Sequence, residues 1–188
     1  MKYKVQQLSQ PSQILSDQEL KDHLRTDEAS EDDLLEAMAL AAHERAEHYT
    51  GLMFGERSCL ISLDSFVEEL SFFDYGIFDV NSITSVSYIN ESGSTVSFSG
   101  YELVDSFSFG SKIIFDSPLP TVQEGRKKVL ITFSAGLPVV PESVKAAMKL
   151  IVGNLYEHRE DDSLMRVSPI SVSSKALLDQ VKQQAGAL

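Results

Sequence analysis

Residues 129–160, VLITFSAGLPVVPESVKAAMKLIVGNLYEHRE, leave the chain few ways to fold. They open on an apolar, β-branched run from Val129 to Phe133, break at Ala135-Gly136, and are punctuated by Pro138 and Pro141 before a helical pattern begins. β-Branched side chains suit a pleated surface, and proline at a first helical position gives up no hydrogen bond. The stretch therefore predicts a strand, a turn and a helix over 141–160. Glu142 stands near the positive end of that helix dipole and His158 and Arg159 near the negative end. Val144, Met148, Ile151 and Leu155, widened by Ala147 and Val152, form an apolar stripe at helical period that other helices or a sheet must cover.

The rest of the chain has to supply that cover. Ser16 followed by Glu19 is a capping box, and Leu15 with Leu20 has the spacing of a hydrophobic staple, so a short helix is expected over 16–25. Ser30 with Asp33, and the acids at 31–33, mark the start of a second helix over 31–50, ended by Gly51 as a left-handed cap. Its stripe is read as Leu34, Leu35, Met38, Ala41, Ala42 and Tyr49, with alanines that allow close approach to the helix at 141–160. From 57 to 134 the pattern becomes strand-like, with strands expected at 58–63, 83–89, 95–99, 101–104, 112–115 and 129–133, and a hairpin turn at Asn90–Ser94. The order helices, strands, helix gives an α+β fold: a helical bundle from the N- and C-terminal helices, with a small antiparallel β unit inserted between them. Residues 1–14 read as a flexible arm, 15–160 as a single domain, and 161–188 as a polar tail with a weak helix over 173–184.

Charge narrows the function classes. Lys and Arg total 16 against 28 Asp and Glu, a formal net charge of −12, which disfavours a surface built to neutralise phosphates. The single cysteine, Cys59, excludes an internal disulfide framework and lies in the apolar run SCLISL, where it reads as a small buried hydrophobe. No apolar run approaches the roughly 20 residues of a membrane span, and MKYKVQQLSQ lacks the apolar core of a signal peptide, so a cytoplasmic site of synthesis is expected.

The sequence carries no complete catalytic motif. His43 and His48 are five apart, which swings them about 140° around a helix and keeps them from one metal ion. No nucleophile elbow, P-loop, dinucleotide fingerprint or calcium loop is present. The acidic pairs Asp32-Asp33, Glu68-Glu69 and Asp161-Asp162 read as solvated charge at helix ends and loops. The basic run Arg126-Lys127-Lys128 has two readings, a hairpin cap or a contact with DNA or an acidic partner. Neither a catalytic residue nor a cofactor or metal is expected.

Three segments carry a family resemblance: LSDQELKDHLR followed by EDDLLEAMALAAHERAEHYTG; the hairpin VNSITSVSYINESG; and ITFSAGLPVVPESVKAAMKLIVGNLYEHRE, whose strand, Ala-Gly turn, proline-started helix and Tyr-x-x-Arg-Glu ending are the most specific. Over 15–160 the chain resembles the head-tail connector, or head-completion, proteins of tailed bacteriophages, also called DNA-packaging adaptors. It departs from them at Asp79, where many members carry proline, and in the Phe-rich segment 70–78. The resemblance implies a structural virion protein. Its copies would form a heterologous ring of on the order of a dozen beneath the portal, extending the DNA channel and meeting a downstream connector or tail-completion protein. DNA would pass without specific binding, and no membrane is involved. The place of action would be the capsid vertex or neck, after assembly in the host cytoplasm. Asp32, Asp33, Tyr156, Arg159 and Glu160 are the candidate interface residues, with Arg159 pairing an acid of the neighbouring subunit. The competing reading is a cytoplasmic small-molecule-binding or enzyme domain with a pocket between the helices and the β unit.

Overall fold

The computed structural model describes residues 5–11, 13–27, 29–77, 80–106, 110–158 and 171–186. The chain forms two compact units, one from Met1–Ser12 with Gly55–Pro138 and one from Gln13–Phe54 with Val139–Leu188. The first is a β unit and the second a helical unit, the α+β composition that the patterning implied.

The β unit is built on antiparallel pairing. Strands β1 (Gln6–Gln7), β2 (Arg57–Leu63), β4 (Val80–Ile89), β5 (Thr95–Phe98) and β8 (Val129–Ala135) form one sheet in the order β1-β2-β8-β4-β5. Strands β3 (Glu69–Ser71), β6 (Tyr101–Ser106) and β7 (Gly110–Phe115) form a second, in the order β3-β7-β6. β8 is central, with Ile131 opposite Ile61 on one side and Val86 on the other. Alternation along β2 and β8 turns Cys59, Ile61, Leu63, Val129, Ile131 and Phe133 inward, all buried. They meet Leu70, Phe72, Ile113 and Phe115 from the second sheet and the short 3-10 turn at Phe72–Tyr75, with the Phe72 and Phe133 rings 4.8 Å apart.

Local chemistry explains the hairpin between β4 and β5. Asn90 Oδ1 accepts from the Ser94 N–H at 2.9 Å and from Ser92 Oγ at 2.7 Å, and Gly93 takes the left-handed φ of 81° that the turn requires. Two strands lack a signal in the sequence. β1 pairs only Gln6 and Gln7 with Leu60 and Cys59, and is followed by a bond from the Leu8 N–H to the Ser58 carbonyl. β3 is a three-residue edge before the Phe-rich turn; Asp79 and Phe78 lie outside the described residues.

In the helical unit, α1 (Asp17–Leu24) starts on the full capping box: Ser16 Oγ accepts from the Glu19 N–H, and Glu19 Oε2 accepts from the Ser16 N–H at 3.0 Å. α2 (Asp32–Thr50) ends at Gly51, φ 75°, whose N–H reaches the Glu47 carbonyl at 2.8 Å. Its start corrects the expected Ser30 cap. Residues Ala29–Glu31 wind as a 3-10 turn straight into the helix, so Glu31 occupies the cap position and no side chain caps it. α3 (Glu142–Glu157) likewise starts one residue later than expected, because Pro141 keeps an extended ψ of 143° and serves as the cap. Val144, Ala147, Met148, Ile151 and Val152 of its stripe are buried as expected, whereas Leu155, near its end, is half-buried.

α3 packs against α1, α2 and α4 (Val172–Gly186). The buried face of α2 keeps Leu35 and Ala42 of the expected stripe and adds Ala39, His43, Ala46 and Thr50, whereas Met38, Ala41 and Tyr49 are half-buried and Leu34 is 38% exposed. Small side chains make up much of this buried face, which suits close approach of helix backbones and leaves Leu34 outside.

Candidate subunit interface

Three of the five residues singled out as interfacial lie at one end of the helical unit. Asp32 and Asp33 open α2, and Tyr156 lies in the last turn of α3. Tyr156 Oη donates to Glu31 Oε2 at 2.6 Å, and Thr26 Oγ1 donates to the same oxygen at 3.3 Å. This bond ties the end of α3 to the start of α2 across 125 residues of sequence. Asp32 Oδ1 meets Lys21 Nζ at 2.6 Å, and that hydrogen bond raises the Lys21 pKa above its usual value. Asp33 is exposed. Arg159 and Glu160 lie outside the described residues, as does the pair Asp161-Asp162.

A second polar link crosses from α1 to α3. Lys149 Nζ lies 3.1 Å from Glu19 Oε1, the carboxylate that completes the capping box. The Ser16 N–H, followed by the Lys149 ammonium, holds the Glu19 carboxyl down at about 2, from an ordinary 4.5. A carboxylate whose pKa is lower folded than unfolded stabilises the fold above its unfolded value, and that contribution is lost as pH falls through the folded one. Glu19 therefore favours the folded state above pH 4.5 and gives up its share between 4.5 and about 2. Its side chain is 39% exposed, so solvent screening keeps the share small. Thermal denaturation scans across this window should fall less steeply for Glu19→Gln than for the parent chain; parallel curves would show that Glu19 carries no linkage.

The two histidines of α2 have separate surroundings. His43 is 6% exposed, with Nε2 3.0 Å from both Glu47 Oε1 and the Phe54 carbonyl, while His48 is exposed. Glu47 Oε1 also accepts the Phe54 N–H at 2.7 Å, so His43 and Glu47 together bind the chain leaving α2 back onto the helix. Sequence reading missed this role, although the i,i+4 spacing of His43 and Glu47 was its available signal. Among the described residues, no group of three or more His, Cys, Asp or Glu side chains converges as a metal-ion cage.

On the β unit, the run Arg126-Lys127-Lys128 closes the approach to β8. The Lys128 N–H donates to the Leu63 carbonyl at 2.7 Å, its carbonyl accepts from the Ile89 N–H at 2.9 Å, and its Nζ donates to Gln123 Oε1 at 2.7 Å. The Lys127 N–H donates to Asp64 Oδ1 at 3.0 Å. The backbone of the run thus has the hairpin-closing role, while the Arg126 and Lys127 side chains are exposed and have no ion-pair partner among the described residues.

No protein-family model matches the sequence, and no curated protein matches it. The fold does have solved counterparts. A chain in the virion of a native gene transfer agent (GTA) particle superposes with a TM-score of 0.71 at 21% identity, over 94% of this chain and 93% of that one. A chain in the neck of an empty GTA particle, computed with C6 symmetry, gives 0.70 at 22% identity over 94% of both chains. A chain in the neck of a native GTA particle, computed with C12 symmetry, gives 0.69 at 20% identity, over 94% and 93%. At these identities the likeness is one of fold.

Proposed function

We propose that this chain is a structural subunit of the neck of a tailed-phage-like particle. In this role its copies close into a ring beneath the portal, extend the DNA channel from the capsid, and offer a platform to the next connector or tail-completion protein. The observation that carries the reading is the match in fold, over nearly the whole chain, to chains of GTA particles, two of them described as necks with sixfold and twelvefold computed symmetry. The connector-like segments in the sequence point the same way. A ring of such order uses a heterologous contact, one face of each subunit against a different face of its neighbour, repeated on the order of a dozen times. Asp32, Asp33, Tyr156, Arg159 and Glu160 are assigned to that contact, with Arg159 facing an acid of the next subunit. The site of action is the virion, reached from the host cytoplasm where the particle is built.

The net charge of −12 fits a channel wall that DNA slides past, since like charge prevents adhesion during packaging and ejection. Purified chain added to portal-bearing, tail-less particles should bind and appear as ring density below the portal. Arg159→Glu should abolish that density. Particles with an exposed portal that take up none of the chain would remove the neck role, and a ring unchanged by Arg159→Glu would remove that residue from the contact. The isolated chain should bind duplex DNA weakly or not at all. A tight, salt-sensitive gel shift would contradict a non-adhesive wall.

A further inference from the structure

The helix α2 carries leucines on its solvent side. Leu34 is 38% exposed and Leu40 50%, and Ala37 is exposed between them. At three-residue spacing each step drifts about 60° around the axis, so they wind as a diagonal band about 9 Å long across the solvent side of the helix. Asp33, Glu36 and Glu44 frame it; all three are exposed and have no ion-pair partner among the described residues. A single exposed leucine is ordinary surface. An apolar strip bordered by unpaired acids has the anatomy of an interface centre and its rim.

The β unit presents the opposite chemistry. Arg126 and Lys127 stand side by side on a turn whose backbone is fixed at Asp64, Leu63 and Ile89. Lys127 holds φ at 56°, a left-handed conformation that favours glycine, so the lysine sits there against the preference of its own backbone.

We propose that the Leu34–Ala37–Leu40 face of α2 on one copy receives the Arg126-Lys127 turn of the next copy. The inference rests on the ring reading and names the two surfaces of its repeating contact. The occupant is a second copy for an electrostatic reason. Copies that each carry −12 repel one another, so a contact is favoured where local charge reverses, and among the described residues the Arg126 and Lys127 side chains, beside Asp64, make this turn such a place. The unpaired acids of α2 are its complement, and the leucines supply the apolar area. Two cations are few for gripping a DNA backbone, whose affinity grows with the number of phosphates neutralised.

Charge reversal tests both surfaces. Glu36→Lys/Glu44→Lys makes both halves of the contact basic, and Arg126→Glu/Lys127→Glu makes both acidic. Sedimentation at raised concentration and ring formation on portal-bearing particles are then measured for the parent chain, for each variant and for their equimolar mixture, with folding checked by circular dichroism. Each folded variant alone should associate at least tenfold more weakly than the parent, and the mixture should recover, because the two then alternate around the ring with opposite charges at every contact. The basic variant is also less acidic overall, so if general repulsion governed assembly it would associate better than the parent. That result overturns the contact, as does parent-like association of either variant or a mixture that fails to recover. Loss of duplex-DNA binding with association intact reassigns the turn to DNA and also overturns the contact. Parent rings on particles, indifferent to both reversals, sink the contact and leave the neck role standing. Complementation in solution without particle binding does the reverse, and a parent that associates in neither setting overturns both.

Discussion

Phe133→Ala is expected to destabilise the β unit by about 3–5 kcal/mol. Phe133 is fully buried on β8, between Cys59 of β2 and Ile83 of β4, and its ring lies 4.8 Å from that of Phe72. Truncation removes apolar surface from the core and leaves a ring-sized void. The void cannot collapse readily, because β8 is paired along both edges and β2 holds it in unbroken register, although β4 shifts register between Ile83 and Ser85. Phe98→Ala supplies the comparison. Phe98 is half-buried on the edge strand β5, where it touches Phe66, Tyr88 and Phe115. Neighbours at an edge can relax, and part of the ring is already in water, so the loss there should be about half as large or less. Urea unfolding midpoints, followed by a probe of the sheet, compare the two. Equal losses would mean that Phe133 is no better packed than an edge residue.

The same contrast between centre and periphery accounts for what the sequence disclosed. The run from Val129 to Phe133 carries its β character in adjacent residues, and the capping box at Ser16 and the cap at Gly51 are complete within a few positions, so each could be read locally. β1 could not be read, because Gln6 and Gln7 have neither apolar alternation nor β-branching; their place comes from the open edge of β2. The face of α2 was misread for a related reason. Apolar periodicity gave Leu34 the weight of its side chain, whereas the buried face takes the small Ala39, Ala42 and Ala46, which suit close helix packing. Of the candidate interface, proximity of the α2 start to the α3 end rests on Tyr156 and Glu31, a pair too far apart in sequence for spacing to reveal. Leu34, left outside although periodicity placed it in the stripe, joins Leu40, which the pattern already left out, in the proposed subunit contact.

α4 shows the converse, a weak sequence pattern that the fold holds in place, and Leu178→Asp should release it. A fifteen-residue helix is marginal in water on its own. Docking on α2 and α3 must therefore sustain it, and among the described residues its single fully buried large side chain is Leu178, worth about 1.5–3 kcal/mol. Tyr49 Oη donates to Asp179 Oδ1 at 2.6 Å, adding about 1 kcal/mol, and Lys182 Nζ stands 4.4 Å from the Tyr49 ring centroid, adding about 0.5–1 kcal/mol. The aspartate would forfeit the first contribution and also require an ionised carboxylate to be buried or α4 to leave, and leaving costs less. Hydrogen exchange over residues 172–186 should then accelerate by about 100-fold or more, since each 1.4 kcal/mol is tenfold, while amides of α2 and α3 slow-exchanging in the parent change far less. Tyr49→Phe keeps Leu178 in place and should accelerate the same amides by roughly tenfold or less. If protection of α4 survived Leu178→Asp, the buried leucine would not be what holds it, and the clasp at Tyr49 would have to be.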